Sequence, residues 1–293
     1  MKRNGFSRRE FLSLAAGIPA AIASRPRLAD FLPPGDAAGK VPVGLELYSV
    51  REELQRDPRA TVRAVAKMGY QCVEFYAPYF TWSEEQTSDM RKLLDDLGIR
   101  CYSTHNDAAY FSREKLSRAR DLNLTLGSKY MVLASSEAKS TLDEWRKFGD
   151  TLNSLAEQLA PSGLRPGYHN HEPEFTPIAG KLPIEILAES TKPSVMLQLD
   201  VGTCIAAGGD PVAWIRAHPG RVRSIHCKDW APGAERGYKV LFGEGVADWK
   251  GIFRAAEQGG GVEYYLLEQE GSRFSEFATA SKCLDAFRGT HGA

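Results

Sequence analysis

Short apolar runs alternate with amphipathic stretches eight times along residues 43–288. The runs are six or seven residues long, as is typical of strands buried on both faces, and the stretches between them repeat apolar residues at helical spacing. The predicted strands are Val43–Ser49, Gln71–Tyr76, Ile99–His105, Lys129–Ala134, Leu164–Asn170, Val195–Asp200, Val222–Cys227 and Glu263–Glu268. Eight strands alternating with eight helices predict an α/β fold, the parallel (β/α)8 TIM barrel. An open doubly wound sheet is the alternative, but no glycine-rich phosphate loop follows the first strand.

Helix start signals support this alternation. Asp57 and Pro58 form an N-cap with proline at the first helical position. Capping boxes, in which Ser or Thr is followed three residues later by Gln or Glu, begin at Ser83 and Thr141. We therefore expect helices to begin where a repeated βα unit requires them.

The first 40 residues follow a different pattern. The segment Ser7-Arg8-Arg9-Glu10-Phe11-Leu12 places a twin-arginine pair before an apolar run of 12 residues. A membrane span needs about 20 apolar residues, so this run is too short to be one. We expect residues 1–29 to be a Tat-type signal peptide, 30–40 to be a linker and 41–293 to be the barrel. On this prediction the Tat export machinery is a partner, and the protein is periplasmic or secreted.

Charge and cysteine content narrow the class of function. The whole chain has zero formal net charge, but residues 1–29 hold six basic residues and one acidic residue, which leaves the remainder at −5. An acidic body argues against nucleic-acid binding, because that binding depends on neutralising phosphates. The five cysteines lack the spacing of a metal finger, and we interpret them as buried thiols.

Ionisable side chains gather where the predicted strands end. In a (β/α)8 barrel the active site lies at the carboxyl ends of the strands. The side chains in question are His105, His169, His171, Asp200, His226 and Glu268. Imidazoles and carboxylates at the ends of strands five to eight suit one divalent ion, which could be Mn, Co, Fe, Zn or Mg. An alternative for His169 and His171, which lie two residues apart on one strand face, is a hydrogen-bonded structural or substrate-contacting pair.

Five motifs together resemble the sugar phosphate isomerase/epimerase family of xylose isomerase-like barrels. They are Gly167-Tyr168-His169-Asn170-His171 with Glu174-Phe175, Gln198-Leu199-Asp200-Val201-Gly202, Ile225-His226-Cys227-Lys228-Asp229, Gly243-Glu244-Gly245 with Asp248-Trp249, and Leu267-Glu268-Gln269-Glu270. The resemblance covers residues 41–289 and implies one metal ion held from strands five to eight. Carried over by position, its ligands are His169, Asp200, His226 and Glu268. Strand five departs from the family pattern, since many members have Glu where His169 stands.

The resemblance also implies a chemistry. A vicinal hydroxyl and carbonyl of a sugar chelate the ion, which acidifies the adjacent C–H. Glu268 is the candidate base, with His171 as the opposite acid/base group and Lys228 as a partner for the developing oxyanion. The alternative for Lys228 is a surface salt bridge with Asp229.

Four further residues are candidates for substrate binding. His105 and Glu74 are predicted to form hydrogen bonds with the substrate, although a structural role for Glu74 is an alternative. Trp249 offers an aromatic face for a sugar, and its alternative is a core position. Arg51, just past the first strand, is either a phosphate or carboxylate contact or a surface charge.

The sequence therefore predicts a metal-dependent isomerase or epimerase that acts on a small sugar or keto sugar through an enediolate. Export favours a free, oxidised or glycosidically linked sugar over a sugar phosphate. One alternative is a lyase or hydratase acting on 3-keto-glycosides or related oxidised sugars. The other is a non-catalytic exported sugar-binding protein.

Overall fold

The computed structural model describes residues 41–137 and 139–292. The predicted signal peptide and linker, residues 1–40, lie outside the described residues. No helix in the described part of the chain is long and apolar enough to cross a membrane.

Eight parallel strands close into a barrel in which each strand pairs with its neighbours in chain order and β8 pairs with β1. The strands are β1 (Val43–Glu46), β2 (Cys72–Phe75), β3 (Arg100–Asn106), β4 (Tyr130–Leu133), β5 (Arg165–His169), β6 (Met196–Asp200), β7 (Ser224–Cys227) and β8 (Tyr264–Leu267). This arrangement confirms the predicted (β/α)8 TIM barrel.

Helices occupy the segments between strands and the segment after β8. The α-helices of the described residues are α1 (Arg51–Arg56), α2 (Pro58–Met68), α3 (Glu84–Asp96), α4 (Leu116–Leu126), α5 (Leu142–Leu159), α6 (Pro183–Ser190), α7 (Val201–Ala206), α8 (Pro211–Ala217), α9 (Trp249–Ala255) and α10 (Glu276–His291). Asp57 caps α2 by accepting hydrogen bonds from the N–H groups of Arg59 and Ala60. The capping boxes predicted at Ser83 and Thr141 are both formed, at the starts of α3 and α5.

The first strand ends three residues earlier than the sequence predicted. Leu47–Val50 forms a turn of 3₁₀-helix, and the Glu46 carboxylate accepts a hydrogen bond of 2.6 Å from the N–H of Tyr48. The backbone therefore turns out of the sheet directly after Glu46. As a result the Glu46 side chain stands at the carboxyl end of the barrel, which an extended strand to Ser49 did not predict.

An apolar layer inside the barrel supports the polar end. Cys72, Tyr130, Met196 and Tyr264 belong to one buried cluster of strand residues. Alternate residues of a strand face the same side, so positions two or four further along these strands project toward the carboxyl end on the same inner face. Gly167 leaves room for this packing, because a Cβ there would lie 3.0 Å from the Met196 Cε atom. The layer thus fills the barrel below the side chains at its carboxyl end.

Candidate metal centre and active site

Four buried side chains converge at the carboxyl end of the barrel. They are His169, Asp200, His226 and Glu268, and each offers a ligand atom within 4.8 Å of the others. His169 Nε2 lies 3.7 Å from Asp200 Oδ2, and His226 Nδ1 lies 2.6 Å from Glu268 Oε2. The structure thus brings together the four predicted metal ligands, and their role as ligands stays a prediction.

Both histidines are oriented through their second ring nitrogen. Nδ1 of His169 lies 3.1 Å from the amide oxygen of Gln198, and Nε2 of His226 lies 2.9 Å from Oε2 of Glu74. Gln198 in turn donates a hydrogen bond of 3.1 Å to Oε1 of Glu74, so the residues that orient the two histidines are themselves connected. Hydrogen bonds of this kind hold metal-binding imidazoles in one tautomer and orientation. The remaining nitrogen of each ring faces the carboxylates of the cluster.

The donor set fits a divalent metal ion. Asp200 is fully buried, and its Oδ1 atom accepts a hydrogen bond from the N–H of Thr203. Its Oδ2 atom accepts no hydrogen bond from any described residue, although Lys228 Nζ lies 3.3 Å away. Lys228 therefore balances the charge of this oxygen without forming a hydrogen bond to it, which leaves the lone pairs of Oδ2 free for a metal ion. Two imidazoles and two carboxylates suit a divalent transition ion.

The surroundings shift the pKa values of the two histidines of the cluster in opposite directions. Burial lowers the pKa of His169 well below its usual value, and the nearby His226 and His105 lower it further, so His169 keeps a free lone pair for ligation. Burial acts in the same direction on His226, but the carboxylates of Glu268 and Glu74 outweigh it and raise its pKa to about 10. His226 therefore lies where the structure favours a positive charge, supplied by a proton or by a metal ion.

Lys228 is a buried cation, only 2% exposed. Its Nζ lies 2.6 Å from Glu270, 3.3 Å from Asp200 and 3.5 Å from Glu268. These carboxylates outweigh burial and raise its pKa well above the usual value. The alternative of a surface salt bridge with Asp229 is wrong, because Asp229 accepts hydrogen bonds from the N–H groups of Gly243 and Gly245 instead.

The same lysine keeps Glu268 ionised. Burial acts to raise the pKa of Glu268, but the charge of Lys228 and the hydrogen bond from His226 lower it far below the usual value. Glu268 therefore lines the cavity as a carboxylate anion, and its role as the base stays a prediction.

A cavity of about 310 Å³ opens above the cluster. Its lining includes His105, His169, His171, Glu268, Glu46 and Glu270. Asp200 and His226 are fully buried behind these residues. The volume is of the size expected for a small-molecule site.

Two of the other predicted site residues, His105 and His171, line the cavity. His171 follows β5, and its ring centroid is 5.1 Å from that of His169. His105 lines the cavity, while its Nε2 lies 2.7 Å from Gln198 Oε1 and 3.2 Å from Glu74 Oε2. Glu74 itself is fully buried and does not line the cavity, which favours its structural alternative. Its side-chain contacts are to Ser103, Gln198 and the histidines His105 and His226.

Arg51 and Trp249 occupy different surroundings. Arg51 lies at the rim, where its guanidinium stacks over Tyr48 at 4.7 Å and donates to the carbonyl oxygens of Tyr48 and Glu270. Trp249 is packed against Phe242 in the core and donates from Nε1 to Asp229. It does not line the cavity, so its position corrects the predicted substrate contact in favour of the core interpretation.

Three site residues had no predicted role. Gln198 contacts both His169 and Glu74, the residue that orients His226. Glu270 pairs with Lys228, and Glu46 lines the cavity from β1. The sequence spacing indicates two of them, because residues two apart on a strand face the same side. Gln198 precedes Asp200 by two residues, and Glu270 follows Glu268 by two. For Glu46 the signal was a lone carboxylate in a strand that is otherwise apolar.

Replacing Glu74 by Gln tests its support of His226. The amide keeps the shape but no longer offers a carboxylate to Nε2 of His226. We expect metal affinity to fall by about 10–100-fold, as for other residues that orient metal-binding histidines. Metal titration followed by calorimetry measures the change, and Glu85→Gln on the exposed surface of α3 is the control. Unchanged affinity in Glu74→Gln would contradict the orienting role.

Comparison with known proteins gives a family match and several relatives. The family profile described as "Xylose isomerase-like TIM barrel" matches residues 62–287. An inosose dehydratase of Geobacillus thermodenitrificans is 26% identical over 186 residues, which cover 58% of this chain and 62% of that protein. The rhizopine catabolism protein MocC of Rhizobium meliloti is 27% identical over 168 residues, covering 49% of this chain and 50% of its own length. The chain thus spans about half to three fifths of these relatives.

Solved structures share the whole barrel. A sugar phosphate isomerase/epimerase from Parabacteroides distasonis is 25% identical with a TM-score of 0.72, covering 88% of this chain and 98% of that one. The IOLI protein with a bound zinc atom is 18% identical with a TM-score of 0.64, covering 85% of this chain and 96% of that one. The latter similarity is one of fold.

Proposed function

This chain belongs to the xylose isomerase-like TIM barrel family, and on that premise we propose that it is a divalent-metal-dependent enzyme that removes a proton next to the carbonyl of a keto sugar or keto polyol. The observation that carries the proposal is the buried cluster of His169, Asp200, His226 and Glu268 beside a cavity of small-molecule size. A bound divalent ion would polarise the substrate carbonyl and stabilise the negative charge that forms on its oxygen.

The side chains divide the remaining work. Glu268, held as an anion by Lys228 and His226, accepts the proton from carbon. Lys228 lies 3.5 Å from Glu268 and balances the negative charge of this wall of the site. His171 lines the cavity from the β5 side. In this proposal it exchanges a proton with a substrate oxygen or carbon. His105 presents its ring to the same cavity as a hydrogen-bonding group.

Three outcomes can follow from the shared first step, and they give two candidate functions. Return of the proton to the neighbouring carbon isomerises the substrate, and return to the opposite face epimerises it, as the sequence predicted. Loss of a hydroxyl from the next carbon instead gives a dehydratase. The second candidate is favoured by the names of several relatives, which are inosose dehydratases.

NMR in D₂O tests the shared step. Manganese-loaded protein is mixed with a panel of free sugars, 3-keto sugars and inosose. We expect deuterium to appear at the carbon next to the carbonyl, and we expect the exchange to stop when the metal is removed with EDTA. Binding without exchange for every compound would support the non-catalytic sugar-binding alternative and contradict the proposal.

Export through the Tat pathway belongs to the same proposal. The twin-arginine segment Ser7–Leu12 supports it, and it implies that the enzyme acts in the periplasm or outside the cell. Sequencing the N-terminus of exported protein tests it. The first ~25–30 residues are expected to be absent from the exported protein, and a start at Met1 would contradict the proposal.

A further inference from the structure

Carboxyl groups dominate the ionisable lining of the cavity. Of the described residues that line it, none is a lysine or an arginine, and those with a carboxyl group are Glu46, Asp107, Glu268 and Glu270. Asp107 is exposed, and 45% of the Glu270 side chain is exposed, so both are within reach of a molecule that enters the cavity. Such a molecule meets carboxylate oxygens, which accept hydrogen bonds and donate none.

Asp107 has a carboxylate that the fold does not use. It directly follows β3 and occupies the N-cap position of the 3₁₀ turn Ala108–Phe111, where an aspartate side chain commonly accepts from backbone N–H groups. Asp57 and Asp210 cap their helices in this way. The side chain of Asp107 forms no capping bond, and its carboxylate has no ion pair or hydrogen bond with any described residue. It is therefore available to a ligand in the cavity.

The end of β3 holds Asp107 beside the site. The preceding residue, Asn106, is fully buried, and its side-chain amide donates to the carbonyl oxygens of Thr104 at 2.8 Å and Val132 at 3.2 Å. His105, two residues before Asp107, lines the same cavity, and its ring centroid lies 4.7 Å from that of His169. Asp107 thus follows a fixed strand end that also carries a histidine next to the metal cluster.

The positive charges close to the cavity are already engaged. Lys228 is 2% exposed and lies among carboxylates, of which Glu270 is the nearest at 2.6 Å. Arg51 donates to two backbone carbonyl oxygens at the rim, and neither cation lines the cavity. The two positive charges of a divalent ion would be matched by Asp200 and Glu268, the carboxylates among its predicted ligands. The carboxylate of Asp107 remains without a matching cation among the described residues.

We propose that the cavity selects an uncharged polyhydroxy ketone over its phosphorylated or carboxylated analogue, and that Asp107 determines this selectivity by accepting hydrogen bonds from substrate hydroxyl groups. The inference rests on the proposed function and names its substrate class. A hydroxyl group donates to a carboxylate, whereas a phosphate group brings acceptor oxygens and negative charge. Like charges placed together oppose binding, so the oxygens that bind hydroxyl groups repel an anionic substrate.

A matched pair of ligands tests the selectivity. The pair is 3-keto-glucose and 3-keto-glucose 6-phosphate, which differ only in the phosphate group. Each is titrated by calorimetry into manganese-loaded full-length protein, and its deuterium exchange in D₂O is followed by NMR. We expect the uncharged ligand to bind at least about 100-fold more tightly at low salt. The ratio should shrink between about 0.01 and 1 M ionic strength, because salt screens exposed charges and does not change a steric fit.

Replacing Asp107 by asparagine removes the charge and keeps the shape of the side chain. We expect 3-keto-glucose to bind less tightly and its 6-phosphate to bind more tightly, so that the ratio of the two affinities falls by about tenfold. A general disturbance of the site would weaken both ligands alike. Asp150→Asn, the same change at an exposed position of α5, is the matched control and should alter neither affinity.

The other outcomes overturn the proposal. They are failure of 3-keto-glucose to bind, equal affinities of the two ligands, a ratio that does not depend on salt, and changes in the same direction for both ligands in Asp107→Asn. Absence of deuterium exchange with both ligands would instead contradict the proposed function, and the two affinities would still decide the selectivity.

Discussion

Replacing His226 by alanine is expected to remove the metal ion and the activity together. The ring supplies one of four converging ligand atoms and lies between Glu268 and Glu74, where the fold favours a positive charge. Loss of this ligand should cost more metal affinity than the about 10–100-fold typical of residues that only orient ligands. Elemental analysis of the purified variant, together with its deuterium-exchange rate, measures both effects.

The matched variant is His171→Ala. Its ring lines the cavity beside His169 but is outside the cluster of converging ligand atoms. We expect this variant to keep its metal and to slow proton transfer by about 10²–10⁴-fold, as for loss of a general acid or base. Equal metal loss in both variants would make His171 a ligand. A His226→Ala protein with full metal content and full activity would refute the assignment of the cluster.

Replacing Lys228 by methionine is expected to destabilise the metal-free protein by about 3–5 kcal/mol, the cost of leaving a buried charge without its partner. Lys228 is the buried cation next to the carboxylates of Asp200 and Glu268, and both of those are themselves buried. Manganese should recover part of the loss, because the ion places positive charge among the same oxygens. Urea unfolding with EDTA and with manganese measures both values.

The control for this variant is Lys192→Met. Lys192 forms an ion pair with Glu157, but both side chains are mostly exposed, so water already screens their charges. Its unfolding free energy should change far less than that of Lys228→Met. Equal changes in the two variants, or no recovery with manganese, would show that Lys228 does not balance the charge of the site.

The fold was predictable because its signals are local. Each strand is a short apolar run, and capping residues such as Asp57, Ser83 and Thr141 mark helix starts within a few positions. The topology of the barrel then places all strand ends together, which is why His169, Asp200, His226 and Glu268 could be grouped although about 100 residues separate the first from the last.

Contacts between distant residues were not predictable in the same way. Lys228 pairs with Glu270 rather than with its neighbour Asp229, because the loop after β7 supplies Asp229 with N–H groups from Gly243 and Gly245. That loop also places Trp249 in the core, with its indole N–H on Asp229. No spacing rule reports such pairings, since they depend on how a long loop folds back.

Glu46 shows the same limit for a single residue. Its sequence context is an apolar strand, and the turn at Leu47–Val50 that ends this strand at Glu46 includes a hydrogen bond accepted by the Glu46 side chain itself. Its closeness to Glu268 follows only from the closure of the barrel between β1 and β8. The residue is therefore identified by the structure and not by a motif.

X-ray diffraction from crystals of the manganese-loaded protein tests the central claim most directly. Anomalous scattering at the manganese edge locates the ion without reference to activity. We predict one strong peak per chain, in ligand contact with His169, Asp200, His226 and Glu268. A peak bound elsewhere in the barrel, or no peak at these four side chains at saturating manganese, would contradict the metal centre and the chemistry that depends on it.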